Sequence, residues 1–178
     1  MHGCALSYFH RRARRGRREK ILKYAIDIFS GITYNTIMTK QIVMDTNVLI
    51  SALRSRRGAS FKLLRLLGHK DFEINVSVSL IIEYEDVAKR YAKDFGLTSS
   101  DIDDIIDYLC RIANKHLIHF LWRPYLKDPH DDLLLELSVE ASCDYIVTHN
   151  VTDFAGAEQF GVKVITPRDF LKRIGRLP

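Results

Sequence analysis

From about residue 40 onward, short apolar runs take turns with stretches whose apolar residues recur at helical spacing. That alternation leaves few folds open. A run of three to six apolar residues, too short for a helix and without a polar face, reads as a strand buried on both sides. Ile42-Val43-Met44 is such a run, and Phe72-Glu73-Ile74-Asn75-Val76, Leu117-Ile118-His119-Phe120-Leu121-Trp122 (stopped by Pro124), Tyr145-Ile146-Val147-Thr148 and Val162-Lys163-Val164-Ile165 read as four further strands. Helical patterns fill the gaps. Val48, Leu49, Ile50 and Leu53 make one; Phe61 to Leu67, ended by Gly68, a second; Leu80, Ile81, Tyr84, Val87 and Ala88 a third. Ser100 and Asp103 are spaced like a capping box for a fourth, with Ile102, Ile105, Ile106, Leu109, Ile112 and Ala113 on its apolar face. A fifth runs from about Asp131 to Ser142, and Pro167 is well placed to open a closing helix. Strands joined by helices run parallel and need cover on both faces. The expectation is one α/β domain over residues 38–178, built on a mostly parallel sheet.

Composition agrees and narrows the class. With 178 residues, 47% hydrophobic and 28% charged, the chain can bury a sizeable core, which excludes general disorder and a collagen-like rod. No segment approaches the roughly 18–20 apolar residues of a membrane span, so no membrane role is expected. Cys4, Cys110 and Cys143 are too scattered for a metal motif, and an odd number without a secretory signal points to the reducing cytoplasm. The net charge of +5 is unevenly spread. Residues 1–37 carry 8 Lys and Arg against 2 Asp and Glu, leaving 19 of the 27 basic and 20 of the 22 acidic residues to 38–178, a net of −1. The basic character belongs to the extension, chiefly Arg11-Arg12-Ala13-Arg14-Arg15-Gly16-Arg17-Arg18. Three readings of it stand: an arm that neutralises phosphates, a solvated or weakly helical extension with no dedicated role, or an upstream over-extension of the reading frame before Met38.

Acidic and amide residues fall where strands end. Asp45 closes the first run, Glu83 lies in the helix after the second, Asp131 opens the helix after the third, and Asn150 and Asp153 follow the fourth. In open α/β sheets sites form beyond the carboxyl ends of the strands, so this order gathers carboxylates at one edge. Like charges that close repel unless a cation neutralises them. All-oxygen ligation favours Mg2+ or Mn2+, and such a site suits hydrolysis of a phosphodiester. Each residue also has a plainer role. Asp45 can cap a helix; Asp128-Pro129-His130-Asp131 reads as a cap, a helix-starting proline and a first-turn acid; Asp153 can cap a short helix. Glu83 shares a helical face with Leu80, Tyr84 and Val87 and so points partly inward. His119, His130 and His149 lack ligand spacing and read as packed or exposed, and Cys110 as core. Arg54-Ser55-Arg56-Arg57-Gly58 reads as a solvated loop able to touch a polyanion.

Ile42-Val43-Met44-Asp45-Thr46-Asn47-Val48-Leu49-Ile50-Ser51-Ala52-Leu53 resembles the opening motif of the PIN-domain ribonucleases. Ile82-Glu83-Tyr84-Glu85-Asp86-Val87 is similar to that family's central Glu helix, and Asp128 through Thr148 to its third-acid helix and fourth strand. Within the family the nearest likeness is to VapC-like toxins of toxin–antitoxin pairs. The resemblance implies a three-layer α/β/α sandwich, Mg2+ or Mn2+, an RNA substrate, frequent homodimers and inhibition by a small cognate antitoxin. It places Asp45, Glu83 and Asp131 at the first three acid positions, with Asp132 one residue out of phase as the alternative third. At the fourth, where many members carry Asp, this chain has Asn150, and Asp153 three residues on is the candidate substitute.

Two other functions compete. A haloacid-dehalogenase-type phosphatase also places Asp after its first strand but needs a second acid two residues on, where this chain has Asn47. A PIN domain that binds RNA or a partner without cutting is the non-enzymatic reading, and Asn150 is the residue that favours it.

Overall fold

The computed structural model describes residues 39–119 and 123–178. The extension expected over residues 1–37 lies outside the described residues. Five strands form one sheet: β1 (Lys40–Met44), β2 (Phe72–Ser77), β3 (Asn114–His116), β4 (Tyr145–Val147) and β5 (Lys163–Ile165). Among the described residues six α-helices cover it: α1 (Thr46–Arg54), α2 (Ala59–Arg65), α3 (Val78–Tyr91), α4 (Ser99–Ile112), α5 (Pro129–Glu140) and α6 (Pro167–Arg173). Strand order is β3-β2-β1-β4-β5 and every pairing is parallel, as the alternating sequence implies. Among the described residues no helix is long and apolar enough to cross a membrane.

This order determines where a site can lie. The chain leaves β1 toward β2 and β3, then returns past them to β4 on β1's other side, with Ile42 in register with both Ile74 and Tyr145. Right-handed crossovers running in opposite directions put their helices on opposite faces of the sheet. Accordingly α5 packs across β1, β2 and β4, while α2 packs on both α1 and α6. The crevice of such a sheet opens beyond the carboxyl ends of the strands where the order reverses, here between β1 and β4. The three central strands are almost wholly buried: Ile42, Val43, Met44, Ile74, Val76, Ile146 and Val147 each expose 2% or less. Phe170 of α6 meets Phe72 and Tyr145 edge-on, at centroid distances of 5.3 and 5.5 Å.

Two expectations need correction. The third strand is Asn114–His116, just before the apolar run that was expected to form it. Leu117, Ile118 and His119 follow outside any strand, with Leu117 70% exposed, and residues 120–122 lie outside the described residues. An edge strand is selected by its pairing rather than by apolarity. His116 Nε2 meets buried Asn75 Oδ1 at 2.8 Å, and Asn114 donates to Glu73 at 2.9 Å. The capping box of α4 is Thr98 with Asp101, not Ser100 with Asp103. Thr98 Oγ1 accepts from Asp101 N (3.1 Å) and Asp101 Oδ2 from Thr98 N (2.7 Å). Both pairs have the same spacing, but the earlier start gives Ile102 a helical position on the buried face. It also leaves Asp103 free to pair with Lys89 of α3 at 2.7 Å.

Candidate active site

Asp45 leaves β1 in extended conformation and caps α1, accepting from Asn47 N at 3.2 Å. Its other carboxylate oxygen accepts from the Asn47 amide (2.7 Å) and from Thr148 Oγ1 (2.6 Å) just past β4. The capping role and the site role are therefore compatible. Thr148 uses its whole hydroxyl: it donates to Asp45 and accepts from Asn47 Nδ2 (3.1 Å) and Asn150 N (2.9 Å). His149 N donates to Asn47 Oδ1 (3.2 Å), and His149 Nε2 lies 2.9 Å from buried Ser60 Oγ on α2. Asn47 and Thr148 thus fasten the end of β1 to the end of β4 across the point where strand order reverses.

Glu83 reaches the same edge from α3. The phase of that helix is set by its neighbour Tyr84, wholly buried, whose hydroxyl donates to the Met44 carbonyl immediately before Asp45. Thr46 Oγ1 then donates to Glu83 Oε1 at 2.6 Å, and exposed His130 Nδ1 stands 3.9 Å from Glu83 Oε2. Asp131 is the third residue of α5, after the cap in which Asp128 accepts from His130 N at 2.9 Å. It is half-buried, and no described residue donates a hydrogen bond to its carboxylate.

The electrostatics tie these acids together. Burial raises the Asp45 carboxyl above its ordinary value and Glu83 adds to the rise, against the lowering effect of the bonds from Thr148 and Asn47. Asp131 is pushed up to about 6, first by burial and then by the charges of Asp45, Asp128, Asp153 and Asp132. Negative charge is in excess here. The donors are all oxygens, the set that suits a hard divalent cation. Among the described residues no group of three His, Cys, Asp or Glu is drawn tightly enough to hold a metal ion. The acids share a field rather than a ligand-distance cluster.

The neighbouring candidates differ in what they touch. Asp132 is 2% exposed and its carboxylate accepts from Leu126 N (2.8 Å) and Tyr125 N (3.2 Å), so it anchors the loop before α5. Asn150 is exposed, and its backbone, not its amide, contacts Thr148. Asp153 is exposed on the 3-10 helix Val151–Phe154 and reaches Asp131 through its charge. Sequence reasoning passed over Thr46, Asn47 and Thr148 as positioning groups. Their only signal was a polar residue tight against a buried strand, which capping explained equally well.

No curated protein matches this chain at a significant level. The profile of the PIN domain matches residues 41–152, from inside β1 to the segment after β4, a span that contains Asp45, Glu83, Asp131 and Asn150. PIN domains are in general nucleases and typically use divalent metals. With the match covering more than half of its length and the all-parallel α/β fold consistent with it, this chain belongs to the PIN domain family.

Proposed function

We propose that the protein is a metal-dependent endoribonuclease that hydrolyses RNA phosphodiester bonds at the β1–β4 crevice, with Asp45, Glu83 and Asp131 as its catalytic carboxylates. The observation that supports this is their arrival from three separate elements in one field of uncompensated negative charge, at the sheet's reversal point. Bound Mg2+ or Mn2+ would supply charge neutralisation and lower the pKa of a water. The chain's own residues supply the orientation. Thr148 and Asn47 hold the Asp45 carboxylate at one angle, and Thr46 does the same for Glu83, so neither reorganises as charge develops on the phosphate. Asp131 keeps its lone pairs free. It is placed to take the proton of the attacking water while the P–O ester bond breaks. Asp132 is assigned to the loop and Asp131 to the chemistry. Asn150 and Asp153 form the outer edge, Asn150 as an uncharged oxygen donor and Asp153 as the charge that stands in for it.

The test is cleavage of 5′-labelled single-stranded RNA by the full chain, with Mg2+, with Mn2+ and with EDTA. Cleavage should require the cation and fall at least about 100-fold in Asp45→Asn, which retains the cap because Asn caps as well as Asp. Cleavage in EDTA, or an unimpaired Asp45→Asn, would overturn the assignment. We place the enzyme in the cytoplasm as a VapC-like homodimeric toxin held by a small cognate antitoxin. Growth arrest on expression, relieved by co-expressing the product of an adjacent small reading frame, is the expected result. Exposed, uncharged Asn150 supports a second reading, a catalytically weakened domain that binds RNA or a partner; RNA binding without cleavage at any metal concentration would select it.

A further inference from the structure

Between the 56–66 stretch that carries α2 and the C-terminal residues Arg168 and Leu177 lies an open cavity of about 580 Å3. Its lining includes Arg56, Arg57, Lys62, Arg65 and Arg168, all exposed, together with half-buried Phe61, and it contains no acidic residue. Among the described residues none of the five cations is ion-paired, and no carboxylate stands among them in the lining. Five unpaired cations facing one concavity repel one another and lower the stability of the bare surface. Such an arrangement is relieved by a polyanion. The volume falls within the ~300–1,000 Å3 of ordinary ligand sites, room for more than a single phosphate.

We propose that this cleft binds the backbone of a single-stranded RNA, with phosphates on the Arg and Lys side chains and a base against Phe61. Cations that track phosphates beside an aromatic ring are the usual means of holding a single strand without reading its sequence. The cleft is also wired to the acidic edge. Ser60, between Ala59 and Phe61 of the lining, meets His149; His149 is bonded to Asn47, and Asn47 to Asp45. This chain of hydrogen bonds joins α2, which carries Phe61, Lys62 and Arg65, to the end of β1 that carries Asp45. The choice of RNA rests on the ribonuclease reading, so the test is made without metal and without cleavage.

Binding of a fluorescein-labelled oligouridine to the full chain is followed by anisotropy in EDTA over a range of salt. Each phosphate contact on a single strand contributes about 0.7 to the slope of log K against log salt. Lys62→Gln with Arg65→Gln should make the slope shallower by about 1.4 and weaken binding about 25-fold at 0.1 M salt. Lys93→Gln with Lys115→Gln, exposed residues outside the cleft lining, carries the same charge change and should shift both far less. A 4-thiouridine oligomer should cross-link to the peptide carrying Phe61. Equal effects of the two double variants, or cross-links confined to residues 1–37, would overturn the proposal. Loss of polyglutamate binding with RNA binding intact would do so too, assigning the cleft to an acidic protein partner. Loss of RNA affinity in the cleft variant together with uncut RNA under all metal conditions would retain the cleft and reject the nuclease.

Discussion

Replacing Asp131 with Asn should make the cation-free protein more stable at neutral pH, although it removes a residue proposed to be catalytic. The Asp131 carboxyl stands at about 6 against an ordinary 3.8. At 1.36 kcal/mol per pKa unit that gap corresponds to about 3 kcal/mol. Solvent screening of a half-exposed group roughly halves it. The substitution also gives up a favourable charge in the first turn of α5, worth about 0.3–1 kcal/mol. About 1 kcal/mol remains, or roughly 3–5 °C in Tm for a domain of this size. The sign follows from linkage. A folded-state pKa above the unfolded one means the native state holds the proton longer, so the penalty is absent below about 3.8 and complete above about 6. Wild-type stability should therefore fall as pH rises through that window, while the Asn variant's should not. Melting curves in EDTA from pH 3.5 to 8 should coincide at the acid end and separate by about 3–5 °C at pH 7.5. Mg2+ at ten times its Kd would add about 1.4 kcal/mol to wild type and close the gap. A variant that melts at or below wild type at pH 7.5 would refute the claim that these acids crowd one another.

Three further outcomes follow from neighbouring residues. Asp132→Ala should cost about 2–4 kcal/mol, read as a lower denaturation midpoint, because it strips a buried carboxylate from the Tyr125 and Leu126 N–H groups. Thr148→Val should cost about 1–3 kcal/mol and lower cleavage, since it leaves Asn150 N and the Asn47 amide short of an acceptor and frees one side of Asp45. Asn150→Asp should lower the free Mg2+ needed for half-maximal cleavage and Asp153→Asn should raise it. If Asp153→Asn changes nothing while Asn150→Asp still helps, the site runs on three acids.

The parallel α/β architecture was legible because Ile42-Val43-Met44 and Tyr145-Ile146-Val147 are apolar on both faces, as strands of a sheet covered on both sides are, and helical patterns separate the strands. The order of acids after those strands was legible for the same reason: where a buried strand stops, the next polar residue is at the sheet's edge. Helix starts carried by local chemistry, such as Asp128-Pro129, could also be read directly. What local pattern did not contain was pairing. β3 is held by Asn75 and Glu73, residues about forty positions away, so its own composition says little. The choice between Asp131 and Asp132 likewise turns on which carboxylate the 125–126 backbone captures, a contact that exists only once the loop has folded back onto α5. The bonds of Thr148 to Asp45 and to Asn47 each span about a hundred residues of chain. Sequence periodicity sees burial, because burial repeats with the backbone; hydrogen bonds between distant side chains have no period, and only the assembled sheet decides them.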